Sequence, residues 1–401
     1  MEIKFSSITF PEKGDLVAVS GDEEILNNDF TNTLAGKDLT LSNSINSTPT
    51  RISGFYNSGT FTTDDSNGLI VAAADYGDSI PDTYEYTVSG IHNTGTLNTG
   101  EGNDLIVGVR YKQGKYRSSD RESNGIFNEG GTIDTGGGDD IITGIAQGFL
   151  SVGIEHNSNN PNLQSPIIIK TGNGNDTIAG TGEYIGLRFG SINGSIIDTG
   201  DGDDAITGTG GYSGTVLYSS ILNTGEGNDT ITGLSTQGDA IANSSTINTG
   251  NGNDIITGTS TYSVAIFNTG TINTGDGDDI ILGIRTDFRF GATIANEGII
   301  NTGKGADSII TDSGFSSFGS IFLGKGTDYI RGSGYATFYG GKDRDSLELT
   351  SGSYTVEILG ATVDFRSSNG TMKTSEFEEL IAGSTTYDFT SLTNGQTIVV
   401  A

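Results

Sequence analysis

The 401-residue chain has no cysteine and no tryptophan, and only two methionines, five prolines and two histidines. Without cysteine it has neither disulfides nor thiolate metal sites, and the redox state of its compartment leaves no mark on it. Cationic side chains are scarce: 20 Lys and Arg stand against 50 Asp and Glu, a formal charge of −30. A chain so poor in basic residues lacks the footprint that nucleic acid or an anionic membrane surface requires. Long apolar runs are missing too, so no segment reaches the ~20 residues of a membrane-spanning helix. Met1 to Asp15 has neither the basic start nor the apolar stretch of a secretory leader. That leaves a cytoplasmic protein, a leader removed beforehand, or export by another route. Acidity with 8% aromatics would suit a disordered chain. Against disorder, isoleucine-rich segments recur at regular spacing.

Glycine is abundant, with 63 residues, and much of it sits in one phrase, G-x-G-x-D-x-apolar. The phrase returns ten times between Thr99 and Asp345, as in TGEGNDLIVG from Thr99 and TGNGNDIITG from Thr249. Successive aspartates are separated by 36, 36, 28, 25, 25, 25, 28, 21 and 17 residues. A repeat array overrides the length-based expectation of two or three globular domains. In the 25-residue units three apolar positions recur, Ile231, Ile241 and Ile247, then Ile256, Ile266 and Ile272. Around each, apolar and small polar residues alternate with the strand period. Three short strands per repeat, turned by Gly and Asn, make one coil of a solenoid.

The expected fold is therefore all-β, a right-handed parallel β-helix, with handedness following the usual crossover rule. Stacked coils would pile Ile on Ile inside and set every motif Asp along one outer edge. An earlier copy, FYNSGTFTTDDSNGLIVA (Phe55 to Ala72), aligns without gaps on IHNTGTLNTGEGNDLIVG (Ile91 to Gly108) but has Gly68 in place of Asp, and reads as a coil without a metal site. Residues 1–50 are expected to be an N-terminal cap, 51–350 the repeat array, and 351–401 closing strands with the chain end. Two inserts interrupt the array. Residues 109–124 hold Arg110, Lys112, Lys115, Arg117 and Arg121 with Tyr111 and Tyr116, and 157–166 are Asn-, Ser- and Pro-rich.

The phrase has the chemistry of a cation-binding turn. Calcium takes six to eight oxygen ligands in a flexible shell. Glycines at positive φ expose turn carbonyls, and the Asp two residues later can reach back. One turn supplies half a shell, so adjacent coils would share each ion. The candidate metal ligands are Gly100, Gly102 and Asp104; Gly136, Gly138 and Asp140; Gly172, Gly174 and Asp176; Gly200, Gly202 and Asp204; Gly225, Gly227 and Asp229; Gly250, Gly252 and Asp254; Gly275, Gly277 and Asp279; Gly303, Gly305 and Asp307; and Gly324, Gly326 and Asp328. The tenth copy, GGKDRDSLEL with Asp345, is eroded, and the last three copies carry Lys304, Lys325 and Lys342, so weaker or empty sites are expected there.

TGNGNDTIA and TGDGDDAIT match, apart from Thr at the first Gly, the nonapeptide G-G-x-G-x-D-x-U-x, and the phrase thereby resembles the RTX, or haemolysin-type, calcium-binding repeat family. The resemblance covers roughly residues 95 to 350 and the tail DSLEL with EFEELIAG. It implies several Ca²⁺ ions between stacked turns, an extracellular location, and type I secretion through an uncleaved C-terminal signal; the apolar TIVV (Thr397 to Val400) fits such a signal. The family usually runs its nonapeptides in tandem, two per coil. Here one falls in each coil, so ions are expected on one edge of a wider β-helix.

Three function classes compete. A calcium-stiffened scaffold with a structural, surface or adhesion role needs no catalytic group, and its partner would be an acidic glycan or the cell-surface matrix. A polysaccharide-modifying lyase or epimerase would need catalytic side chains. His92 and His156 are read instead as solvated surface, and the basic insert as a loop. Ice binding would use a Thr ladder at Thr143, Thr207, Thr232 and Thr257, which Ala179 and Leu282 interrupt. The scaffold ranks first.

Overall fold

The computed structural model describes the strands lying between Leu16 and Ile45, and residues 51–57, 59–63, 67–76, 86–111, 120–148, 150–158, 166–287 and 291–401. The chain is a parallel β-helix, dividing into two compact units, Met1–Asn223 and Thr224–Ala401.

In the second unit one coil runs from Asp254 through three strands, Ile255–Ser260, Ile266–Asn268 and Thr271–Asn273, into the next glycine turn. The first strand joins one sheet and the other two a second sheet. Ile231 pairs with Ile256 and Ile256 with Ile281; Ile241 pairs with Ile266, and Ile247 with Ile272. All of these isoleucines are fully buried. β-Branched side chains suit such columns, since identical residues stacked on parallel strands pack in one rotamer at the ~4.8 Å strand spacing. The repeat offset read from the sequence is the pairing register.

The first unit obeys the same rule with unequal coils. Ile70, Ile106, Ile142, Ile178 and Ile206 pair in succession on its first sheet. Phe55, Ile91, Ile126, Ile154 and Leu187 do so on its second. The longest coils thus resume register after each insert. The centres of both inserts, residues 112–119 and 159–165, lie outside the described residues, but the ends of the basic insert are not the loop that was expected: Arg110 closes the strand Leu105–Arg110 with its side chain fully buried, and Arg121 lies in the strand Asp120–Asn128.

The glycine that closes most copies of the phrase has a packing role. A Cβ on Gly258 would lie 2.3 Å from Ala265 O, and one on Gly233 would lie 2.3 Å from Ala240 O. The two sheets converge there, and only glycine lets their backbones approach.

The ends differ. Leu16–Gly21 pairs in parallel with Asp38–Ile45, and Asp38–Ile45 with Leu69–Tyr76, so coil stacking continues into the segment expected as a cap. At the C-terminus pairing turns antiparallel: Gly352–Leu359 pairs with both Thr362–Ser367 and Thr397–Val400, and Thr362–Ser367 with Gly370–Ser375. TIVV is thus a strand of the closing sheet. Tyr354, Val356, Phe365 and Met372 of these strands are each at most 1% exposed, and Met372 pairs in parallel with Ala336 of the last coil.

Candidate metal centre

The glycine turn stacks backbone on backbone. Gly250 and Gly252 have φ of 104° and 137°, a region that side chains rarely adopt. A Cβ on Gly252 would also stand 1.7 Å from Gly227 O, so both conformation and contact demand glycine. The carbonyl of the first glycine serves the next coil: Gly225 O accepts from Asn251 N at 3.1 Å, and Gly250 O from Asp276 N at 3.2 Å.

The motif aspartates form a ladder within each unit. In the first, Asp104 N donates to Asp140 Oδ1 at 2.7 Å, Asp140 N to Asp176 Oδ1 at 2.8 Å, and Asp176 N to Asp204 Oδ1 at 2.8 Å. Gly68, where the phrase lacks its Asp, donates its N–H to Asp104 Oδ1 and ends the row. In the second, the same bond links Asp229 to Asp254 (2.8 Å), Asp254 to Asp279 (2.9 Å), Asp279 to Asp307 (2.9 Å), Asp307 to Asp328 (2.8 Å) and Asp328 to Asp345 (3.0 Å). Glu378 closes that row by accepting from Asp345 N at 2.9 Å.

These carboxylates are at most 2% exposed. Every motif Asp was expected along one outer edge; they do line up coil on coil, but their side chains do not face solvent. Instead each side chain turns under its own loop, because the backbone N–H of the preceding coil waits there for an acceptor. In seven of the ten only one carboxylate oxygen is used. Oδ2 of Asp140, Asp176, Asp254, Asp279, Asp307, Asp328 and Asp345 is buried without a hydrogen-bond partner. Leaving an ionised oxygen so costs several kcal/mol in a dry setting, on the order of the penalty for an unpaired buried charge.

Burial accordingly pushes Asp140, Asp279 and Asp328 up to about 7, and Asp345 to about 6. The negative charges of Asp176 and Asp104 add to the effect at Asp140, and those of Asp307 and Asp254 at Asp279. Asp176, Asp254 and Asp307 are raised as well, again first by burial.

Two flanking rows were not foreseen. The residue before each motif Asp forms an outer ladder running the opposite way: Asp139 N donates to Asn103 Oδ1, Asn175 N to Asp139 Oδ1, and Asp203 N to Asn175 Oδ1. In the second unit Asn253 N bonds Asn228, Asp278 N bonds Asn253, and Ala306 N bonds Asp278. The sequence signal was available, since this position is Asn or Asp in seven consecutive copies and then becomes Ala306. The second row is the Thr that opens each of these turns. Thr224, Thr249, Thr274 and Thr302 donate their hydroxyls to the carbonyl of the same position one coil on, at 2.9 to 3.2 Å. The Thr135 hydroxyl also lies by Asp140 and offsets part of its upward shift, but its bond goes to Thr171 O.

A third ladder sits away from the turn, where Asn243, Asn268 and Asn296 link Nδ2 to Oδ1 at 2.7 Å. His156 occupies a slot of the equivalent row in the first unit. Asn128 Nδ2 lies 2.9 Å from its Nδ1, which must accept, so Nε2 carries the proton. Burial lowers its pKa to about 3. His92 stands between Tyr56 and Phe127, 1% exposed, stacked on Phe127 at 4.9 Å and 2.9 Å from Glu129 Oε2. Both histidines were expected to be solvated, and both are buried.

Among the described residues no three carboxylates or histidines converge on one point. The donors come one carboxylate per coil, with turn carbonyls between. Such an all-oxygen set suits a hard cation such as Ca²⁺, and the unpartnered Oδ2 rows are atoms such an ion could satisfy. At the late copies Lys304 pairs in register with Lys325, and Lys325 with Lys342; Lys304 Nζ meets Asp276 Oδ2 at 2.5 Å.

Fold and turn together define the class of the molecule: a parallel β-helix joined along one turn by rows of buried carboxylates. Comparison with protein-family models gives no match, and comparison with curated proteins gives no significant match either. Among the described residues no helix is long and apolar enough to cross a membrane.

Proposed function

We propose that this is a calcium-binding repeat protein of the haemolysin type, exported and folded outside the cell, whose β-helix serves a structural, surface or adhesion role. The observation that carries the reading is the row of buried, unpartnered Oδ2 atoms on Asp140 and Asp176 in one unit and on Asp254, Asp279, Asp307, Asp328 and Asp345 in the other. Stacked carboxylates at this spacing repel one another, and a divalent cation between neighbouring coils converts that repulsion into cohesion. The motif aspartates and the turn oxygens would hold the ions, which supply positive charge and bridging ligation. The chain's own part is to bury each carboxylate, fix its Oδ1 on the neighbouring coil and leave Oδ2 for the metal. Copies bearing Lys304, Lys325 and Lys342 already place a cation at the turn and bind calcium weakly.

Because ligands must be deprotonated and assembled, metal binding of this kind is coupled to folding. Low calcium inside a cell would leave an acidic, exportable chain, and roughly millimolar calcium outside would fold it. An acidic glycan or cell-surface matrix, bridged by calcium, is the partner class that fits. The deciding experiment is circular dichroism with thermal melting, first in excess chelator and then across a calcium titration. Conversion of a weakly ordered spectrum to β-sheet, with cooperative uptake of several ions per chain, is expected. An unchanged spectrum and melting point would reduce the aspartates to corner residues of a metal-free solenoid.

A further inference from the structure

The position between the two turn glycines keeps like charges apart, except in the last coils. In the first unit it reads Glu101, Gly137, Asn173 and Asp201 from coil to coil, and in the second Glu226, Asn251 and Asp276. No two acids adjoin, and Asn251 donates its amide to Glu226 at 2.8 Å. The column then continues as Lys304, Lys325 and Lys342, paired in register and all exposed. Three ammonium groups in succession at the ~4.8 Å strand spacing repel one another. Lys304 leans back on Asp276, whereas Lys325 and Lys342 have no acid partner among the described residues. A second change falls on the same coils. Three residues before this position the second sheet carries Asn248, Asn273 and Asn301 in successive coils, then Phe322 and Tyr339. The two rings stack with centroids 4.7 Å apart and planes 16° from parallel, and Phe322 is 36% exposed. Tyr335, two outward positions earlier on the strand Gly334–Lys342, is 52% exposed.

We infer that the lysine row and the ring pair together bind an acidic polysaccharide of the polyuronate type. The polymer lies along the stack, with its carboxylates on the lysines and the carbon face of its sugars against Phe322 and Tyr339. Charge selects an anion, and the repeat selects a polymer. A polyuronate carries one carboxylate per pyranose, and a pyranose in an extended chain is about as long as the ~4.8 Å strand spacing, so successive sugars meet successive lysines. The lysine and aromatic columns are three residues apart, at most ~10 Å at ~3.3 Å per residue, which leaves room for one chain between them. Ammonium groups on flexible stems reach carboxylates that point in alternating directions. An inorganic polyphosphate would use the lysines and leave the rings without a role. Single-stranded nucleic acid stacks its bases on free ring faces, and Phe322 and Tyr339 turn theirs towards each other. Such a site deepens the surface role proposed above, on which the class of partner rests, but its contact is ionic and needs no bridging calcium.

The test uses the full chain in millimolar calcium and trigalacturonate, which is too short to gel. Calorimetric titration should show binding of the trimer and none of single galacturonate, with an affinity that falls several-fold as sodium chloride is raised and the charges are screened. Lys325→Gln with Lys342→Gln should weaken binding at least tenfold while leaving the β-sheet spectrum unchanged. Lys325→Arg with Lys342→Arg should retain it, and Phe322→Asn, which restores the residue of the preceding coils, should weaken it several-fold. Binding indifferent to the glutamines would mean that calcium bridges the polymer to the acidic turns, and overturns the inference while calcium-dependent folding stands. No binding of the trimer, equal binding of its methyl ester, or tighter binding of oligothymidylate or polyphosphate overturns it too. An unchanged spectrum in chelator would instead sink the calcium reading and leave the lysine comparison standing.

Discussion

Each motif aspartate does two jobs with its two oxygens, and a substitution can separate them. Asparagine at position 254 keeps an Oδ1 acceptor for Asp229 N and replaces the unpartnered Oδ2 with an uncharged amide. In chelator Asp254→Asn should therefore melt no lower than the parent, and in calcium it should bind less metal and lose part of the calcium-induced rise. Scanning calorimetry in both buffers checks the sign; a variant less stable only in chelator would contradict the metal reading. Glycine at 252 has no such latitude. Gly252→Ala combines φ of 137° with a methyl 1.7 Å from Gly227 O, and should cost several kcal/mol, about the upper range of single substitutions, read as a loss in denaturation midpoint. Asn268→Ala breaks the amide ladder on both sides and should cost about 1–3 kcal/mol by leaving Asn243 and Asn296 short of a buried partner.

The element that matters is the coil, and its length tolerance follows from register. Thr249 to Asn273 is one full coil, and each inward isoleucine in it stacks on its copy in the adjacent coil. Deleting Thr249 through Asn273 joins Asn248 to Thr274 with every column intact. The shortened protein should fold, melt within a few degrees of the parent and bind fewer calcium ions. A deletion one residue shorter, Thr249 through Ile272, instead leaves an extra Asn in the glycine turn, where Thr, Gly and Asp of adjacent coils stack residue on residue, and breaks the hydroxyl and carboxylate rows there. Expression and β-sheet content of the two deletions should diverge sharply. The unequal coil lengths follow the same logic, because inserts leave at corners and the strands resume in register.

For the whole molecule the buried carboxylates set an unusual pH response. Their pKa is raised from 3.8, to about 7 for Asp140, Asp279 and Asp328 and about 6 for Asp345. A group raised on folding binds its proton more tightly in the native state, so its contribution is complete below its unfolded pKa and is lost as pH rises through the folded value. In chelator the melting temperature should fall between about pH 4 and pH 7. Calcium needs the deprotonated ligands, so the loaded protein should show the reverse, with more calcium-induced stabilisation at neutral pH than under mildly acidic conditions. Melting curves at four pH values, with and without metal, test both limbs; a flat profile in chelator would mean that the carboxylates ionise without cost.

The sequence by itself determined the solenoid, its three strands per coil, its repeat register and the turn on which chemistry is concentrated. Those features are local and periodic: alternation sets the strands, glycine sets the turns, and repetition forces equivalent residues to stack. Tertiary structure alone decided how the side chains at that turn are disposed. Whether an aspartate faces water or folds beneath its loop depends on a backbone N–H presented by the neighbouring coil, a whole repeat away in sequence. The opposed Asn/Asp ladder, the Thr hydroxyl row and the burial of His92 and His156 likewise arise between coils.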